Sequence, residues 1–111
     1  MRPTTPVAID EDLRRWRIQF ADATPIAELV PRQPQTIVGV ASRIRIVPGR
    51  SLTLRLRDGT GEVSVRWQGR SSLPGLALGM ALRCTATVAT DADGRLLLRN
   101  PAWSSVTDPA D

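Results

Sequence analysis

The chain has 111 residues, a formal charge of +4 and no histidine, and every one of its fifteen basic residues is arginine. That length suits one domain with a modest single core and leaves no room for two. With Cys84 as the one cysteine, an internal disulfide is excluded and so is a zinc-ligand cluster, so neither a metal nor another cofactor is expected.

The charge is unevenly spread. Residues 36–72 hold seven arginines against Asp58 and Glu62, whereas the remainder holds eight arginines against nine carboxylates. A localised electrostatic footprint of this kind points to an anionic partner. The first residues lack the apolar run of a signal peptide, and no stretch approaches the roughly 20 apolar residues of a membrane span. A cytoplasmic location and no membrane association are the expectations.

In chain order, residues 1–8 carry prolines without periodicity and read as a tail. Ile9, Leu13, Trp16 and Phe20 then recur at helical spacing behind Asp10, Glu11 and Asp12, which predicts an amphipathic helix over 10–21 with the acidic residues at its N-terminus. Its apolar face can cover the domain or meet another subunit. Residues 24–35 contain three prolines and predict one short turn of helix, with Thr24 as its cap, before an irregular connection.

The period then becomes two. A strand over 36–47 would put Val38, Val40, Ile44 and Ile46 in the core and Arg43 and Arg45 outside. After the turn 47–50, a strand over 51–57 buries Leu52, Leu54 and Leu56 and exposes Arg55 and Arg57. A third, over 62–68, buries Val63, Val65 and Trp67 and exposes Arg66. The hairpin at 58–61 pairs Leu56 with Val63 and Leu54 with Val65, so core meets core in one register. Residues 71–80, rich in proline, glycine and leucine, predict a compact connection with room for one helical turn rather than a strand. A fourth strand over 81–90 makes Cys84 a small buried hydrophobe. The Asp-Ala-Asp-Gly turn at 91–94 leads into a fifth strand over 95–99, which Asn100 and Pro101 stop.

Five short strands with a long first one and an insertion between the third and fourth predict an all-β fold, a five-stranded Greek-key OB-fold barrel with an N-terminal amphipathic helix. The domain plan is a tail and helix over 1–22, the barrel over 23–106 and a disordered tail over 107–111. The Asp58-Gly59-Thr60-Gly61 turn, Trp67 ending the third strand, Pro74-Gly75, Gly79 and Asn100-Pro101 occur in an order and spacing that resembles the small OB-fold nucleic-acid-binding proteins of actinobacteria. More distantly, the chain is similar to the OB wedge domain of branch-migrating DNA helicases. The resemblance covers about residues 24–106 and implies nucleic-acid binding. It implies no helicase activity, because the chain lacks a phosphate-binding Gly-Lys-Thr/Ser loop.

Parity sets Arg43, Arg45, Arg55, Arg57 and Arg66 on one barrel surface, which Arg50 in the first loop and Arg95 after the last turn extend. Guanidinium groups there can fork onto phosphate oxygens. The register places Glu62 opposite Arg57, a pair that can neutralise itself. The bland reading of these arginines is a solvated face. Aromatic stacking platforms are scarce: Trp67 has core parity, Trp16 packs the helix down, and Trp103 either plugs the barrel end or meets a base. Asp58, Glu62, Asp91 and Asp93 read as turn chemistry and solvated charge rather than catalytic groups. The expected function is therefore a non-catalytic module binding nucleic acid, DNA rather than RNA, as a single strand or a structured form. The alternative is a protein-association module that forms a homodimer or docks a partner through the helix or the 73–80 segment.

Overall fold

The computed structural model describes residues 6–107 and 109, with side chains from Asp10 onward. A helix, α1 (Pro6–Arg17), and a 3₁₀ turn (Ile26–Glu28) precede six strands: β1 (Pro34–Val47), β2 (Ser51–Arg57), β3 (Glu62–Gln68), β4 (Ala81–Thr90), β5 (Leu96–Arg99) and β6 (Ala102–Ser105). Strands β1, β2, β3, β5 and β4 are neighbours in that order, and β1 also pairs with β4, which closes the sheet into a barrel. All pairings are antiparallel except β3 with β5. This is the five-stranded OB-fold barrel.

Alternation dictates the second and third strands. Leu52, Leu54 and Leu56 face Trp67, Val65 and Val63 across the β2–β3 register, and all six are buried in the barrel core. On β4, Leu82, Cys84 and Val88 join the same core. The bounds expected for β2, β3 and β4 match the observed ones to the residue.

Strand β1 departs from the expected parity. Its first half pairs with β4 on one edge, and there Ile37 and Ala41 point into the barrel, while Val38 and Val40 lie outside it in a second apolar cluster with Leu13 and Trp16. The register against β2 shifts between Ala41 and Arg43, leaving Ser42 as the extra residue of a β-bulge. The bulge inverts the parity, so Ile44 packs on the core and Arg43 and Arg45 remain outside. Ile46, expected in the core, is 43% exposed near the hairpin tip.

Three other expectations change. The helix begins at Pro6, a residue suited to a first turn, so Asp10, Glu11 and Asp12 fall inside it rather than at its start, and it ends at Arg17. Residues 6–8 are thus helical, while the rest of the expected N-terminal tail and most of the C-terminal one lie outside the described residues. Asn100 and Pro101 turn the chain instead of ending its pairing. With Asn100 at φ 47°, β6 follows and adds to β4. The 73–80 segment contains no helix. Its Leu73 is buried in the core, and Leu78 is 66% exposed.

The helix is seated by a buried carboxylate. Asp58, fully buried, accepts hydrogen bonds from the Ile26 N–H (2.8 Å), the Thr60 N–H (2.9 Å), the Thr60 hydroxyl (2.6 Å) and the Gly61 N–H (3.2 Å). It therefore caps the 3₁₀ turn from a distant loop, whereas Thr24 makes no side-chain cap. Arg17 of α1 approaches the same carboxylate, its Nε 4.0 Å from Oδ2. Beside it, Gly59 at φ +88° lies against the helix backbone, and a Cβ there would come within 2.3 Å of the Asp10 carbonyl oxygen. Glycine is required at that contact.

Two outcomes follow. Replacing Asp58 by Ala leaves buried donors unpaired, and urea titration should show a loss of about 3–5 kcal/mol; a loss below about 1 kcal/mol would contradict this account. Burial pushes the Cys84 thiol up to about 12. Because the thiolate is the reactive form, a disulfide reagent near pH 8 should label Cys84 only after unfolding, and rapid labelling of the folded protein would show the site to be open.

Candidate nucleic-acid interface

Register sets out the site row by row. Across β1, β2 and β3 run Arg43–Arg55–Ser64, then Arg45–Thr53–Arg66, then Val47–Ser51–Gln68. These side chains stand on the outer face, with neighbouring strands about 4.8 Å apart. Together with Arg50 from the β1–β2 turn they line a concave surface of about 450 Å³. Five of the seven arginines singled out in the sequence, Arg43, Arg45, Arg50, Arg55 and Arg66, are thus brought together.

The remaining two are elsewhere. Arg57 does stand opposite Glu62, but its guanidinium is held by Asp10 of α1 and lies in a separate shallow recess with Gly59 and Thr60. Glu62 instead approaches Arg55, with Oε1 3.6 Å from Nε. Both side chains of that pair are part-exposed, so it holds Arg55 weakly. Arg95 belongs to a third depression with Arg55, Glu62, Ser64 and Asp91.

The groove's other groups are polar and short. Thr53 accepts a hydrogen bond from Arg66 Nε (3.1 Å), which orients the guanidinium and leaves its terminal nitrogens outside that bond. Ser51, Ser64 and Gln68 complete the lining, which contains no aromatic ring among the described residues. Trp67 is buried, donates to the Pro101 carbonyl (3.1 Å) and meets Trp103 edge-on at 6.4 Å, so both rings serve the barrel end. Trp16 is buried and donates to the Thr107 carbonyl (2.8 Å). With Leu13 and Trp16 packed against Val38 and Ala81, the apolar face of the helix covers its own barrel.

Sequence reasoning missed two residues that matter to this face. Arg99 stands beside Arg66 in the parallel β3–β5 register. The run of three leucines before it shows no alternation from which its direction could be read. Asp58 was read as a solvated turn residue, but it is buried: to the donors of its own turn the fold adds the Ile26 N–H, from a segment 32 residues away that the local sequence does not reveal.

Among the described residues no group of three or more metal-ligating side chains is assembled, and no helix is long and apolar enough to cross a membrane. The Asp91 carboxyl lies below its ordinary value, chiefly because it accepts the Arg95 N–H, with the Asp93 N–H and the charges of Arg95 and Arg66 acting in the same direction. A lowered carboxyl stabilises the folded turn above the ordinary carboxylate range and loses that effect as pH falls through the folded value. An NMR titration should place the Asp91 midpoint below 3.8, and a midpoint at or above that value would contradict the turn geometry.

No protein-family model and no curated protein matches the chain. Solved structures do. It is similar to a putative aspartyl-tRNA synthetase from Leishmania major (19% identity, TM-score 0.63), with 78% of this chain and 21% of that one covered. A replication protein A heterotrimer bound to single-stranded DNA aligns at 20% identity and TM-score 0.57, over 68% of this chain and 58% of that one. A replication factor A related protein from Methanobacterium thermoautotrophicum aligns at 15% identity and TM-score 0.60, over 76% and 90%. The chain thus spans about a fifth of the synthetase and under two thirds of the replication protein A chain. At these identities the likeness shows a shared OB fold.

Proposed function

We propose that this chain is a non-catalytic OB-fold module that binds nucleic acid, single-stranded DNA foremost, through the arginine-lined groove on the outer face of β1, β2 and β3. One observation carries the reading: five arginines from three strands and one turn converge on one concave surface, with Glu62 the only carboxylate among the described residues that is ion-paired to any of them. Like charges opposite one another on a sheet are unfavourable, and Arg43 stands directly opposite Arg55. A bound polyanion relieves that repulsion.

Guanidinium forks suit phosphate oxygens, and hydroxyls between them suit the sugar-phosphate backbone. The absence of stacking rings from the groove makes the contacts mainly electrostatic and tolerant of sequence. Similarity in fold to a replication protein A heterotrimer bound to single-stranded DNA supports the choice of ligand, without itself assigning it. A chain with no histidine and a single buried thiol suits binding in a reducing cytoplasm rather than catalysis.

Fluorescence anisotropy of labelled single-stranded DNA, duplex DNA and RNA across a salt series tests this. If four to six phosphates are neutralised, the log-log salt slope should be about −3 to −5, with single-stranded DNA bound most tightly. Joint replacement of Arg43, Arg45 and Arg66 by Ala should abolish most of the binding while the melting temperature changes little. Absence of salt-sensitive binding to any probe would overturn the proposal.

A further inference from the structure

The outer face is electrostatically polarised along its strands. At the end where β3 begins, three arginines have a carboxylate close by: Arg55 has Glu62, Arg57 has Asp10, and Arg95 shares a depression with Asp91 and Glu62, while Arg43 beside Arg55 forms none of the ion pairs found among the described residues. At the other end the balance reverses, with Arg66 meeting only the weaker charge of Asp91. Arg45 and Arg66 flank Thr53 in one row, and the Gly69 N–H donates to the Arg50 carbonyl (2.7 Å), bringing the β1–β2 turn to the end of β3.

Arg99 belongs to this second end. Strand β5 runs parallel to β3, with Val65 beside Leu98 and Arg66 beside Arg99. Leu98 is fully buried in the barrel core, so by strand alternation its neighbour Arg99 points outward, to the same side as Arg66. Arg99 is exposed and forms none of the ion pairs found among the described residues. The row Arg45–Thr53–Arg66–Arg99 therefore crosses four strands, about 14 Å at the usual strand spacing.

We infer that the nucleic-acid strand crosses the barrel along this row and leaves over the end of β5, with Arg99 as a phosphate contact and the β4–β5 turn outside its path. The inference rests on the nucleic-acid reading of the groove and adds to it a binding residue and a direction. It reverses the sequence expectation for Arg95. That expectation extended the site toward the turn holding Asp91 and Asp93, whose carboxylates repel a phosphate chain.

The test compares Arg99→Gln and Arg95→Gln with the unaltered chain, using a fluorescein-labelled oligothymidylate and circular dichroism to confirm that both variants remain folded. Loss of one single-strand phosphate contact should make the salt slope shallower by about 0.7, which at 0.1 M salt is about a fivefold loss of affinity. Arg99→Gln is expected to show both changes, and Arg95→Gln to stay within about twofold of the unaltered chain. If Arg99→Gln binds as the unaltered chain does, or Arg95→Gln is the more damaged variant, the path is wrong while the groove reading stands. If the unaltered chain itself fails to bind, the groove reading fails and the path falls with it.

Discussion

The chain that precedes the barrel is seated by one buried carboxylate. Asp58 stands at the start of the β2–β3 turn with no access to solvent, and its oxygens take the place of water for backbone N–H groups of that turn and of the 3₁₀ turn before β1. Burying a carboxylate is costly unless its oxygens are satisfied. Here satisfaction requires the chain before the barrel to come to the turn, and that brings α1 down beside Gly59. Arg14 then donates to the Gly59 carbonyl (2.8 Å), and Asp10 reaches Arg57. The same contact removes Arg57 from the arginine-lined face, so a structural requirement at the hairpin turn sets one boundary of the groove.

The second constraint is the bulge at Ser42. A strand as long as β1 has to serve two surroundings: its first half is covered on the outside by the helix and on the inside by the core, and its second half pairs with β2 in a projecting hairpin. One residue of slippage would send every later side chain to the wrong side. The bulge makes that switch once, under control. The Ala41 N–H donates to the Met80 carbonyl (2.9 Å) and the Gly79 N–H to the Ala41 carbonyl (2.8 Å), so the β3–β4 connection satisfies the backbone that the interrupted ladder leaves open. Arg43 and Arg45 owe their place in the groove to this.

This also explains what could be read from the sequence and what could not. Strands β2, β3 and β4 were legible because each buries one face and alternates cleanly. Strand β1 is covered on both sides near Val38, so its apolar residues no longer report one face, and a bulge leaves no mark in an apolar pattern. Strand β6 was hidden by Asn100-Pro101, a pair that ends strands in general but here only bends the chain. The arginines of the groove were legible because they stand on hairpin-linked strands whose register follows from the turns. Arg99 was not, since its partner strand β3 is reached by a parallel pairing that no local turn specifies.

Electrostatics divides the arginine-lined face into two unlike ends. Surface ion pairs stabilise little, so the pair of Glu62 with Arg55 adds little stability, whereas Asp91 holds its turn by accepting the Asp93 and Arg95 N–H groups; both carboxylates lower the local potential for a phosphate. Their concentration at one end leaves Arg45, Arg66 and Arg99 as the favourable line across the sheet. Two arginine neighbours in adjacent strands cost the free protein some stability, and that cost falls on the bound state least of all. In the proposed role, affinity for a polyanion would be built from repulsion in its absence. The same arrangement would make that binding sensitive to salt, because each phosphate an arginine neutralises releases condensed counterions, and that release is worth less as the salt concentration rises.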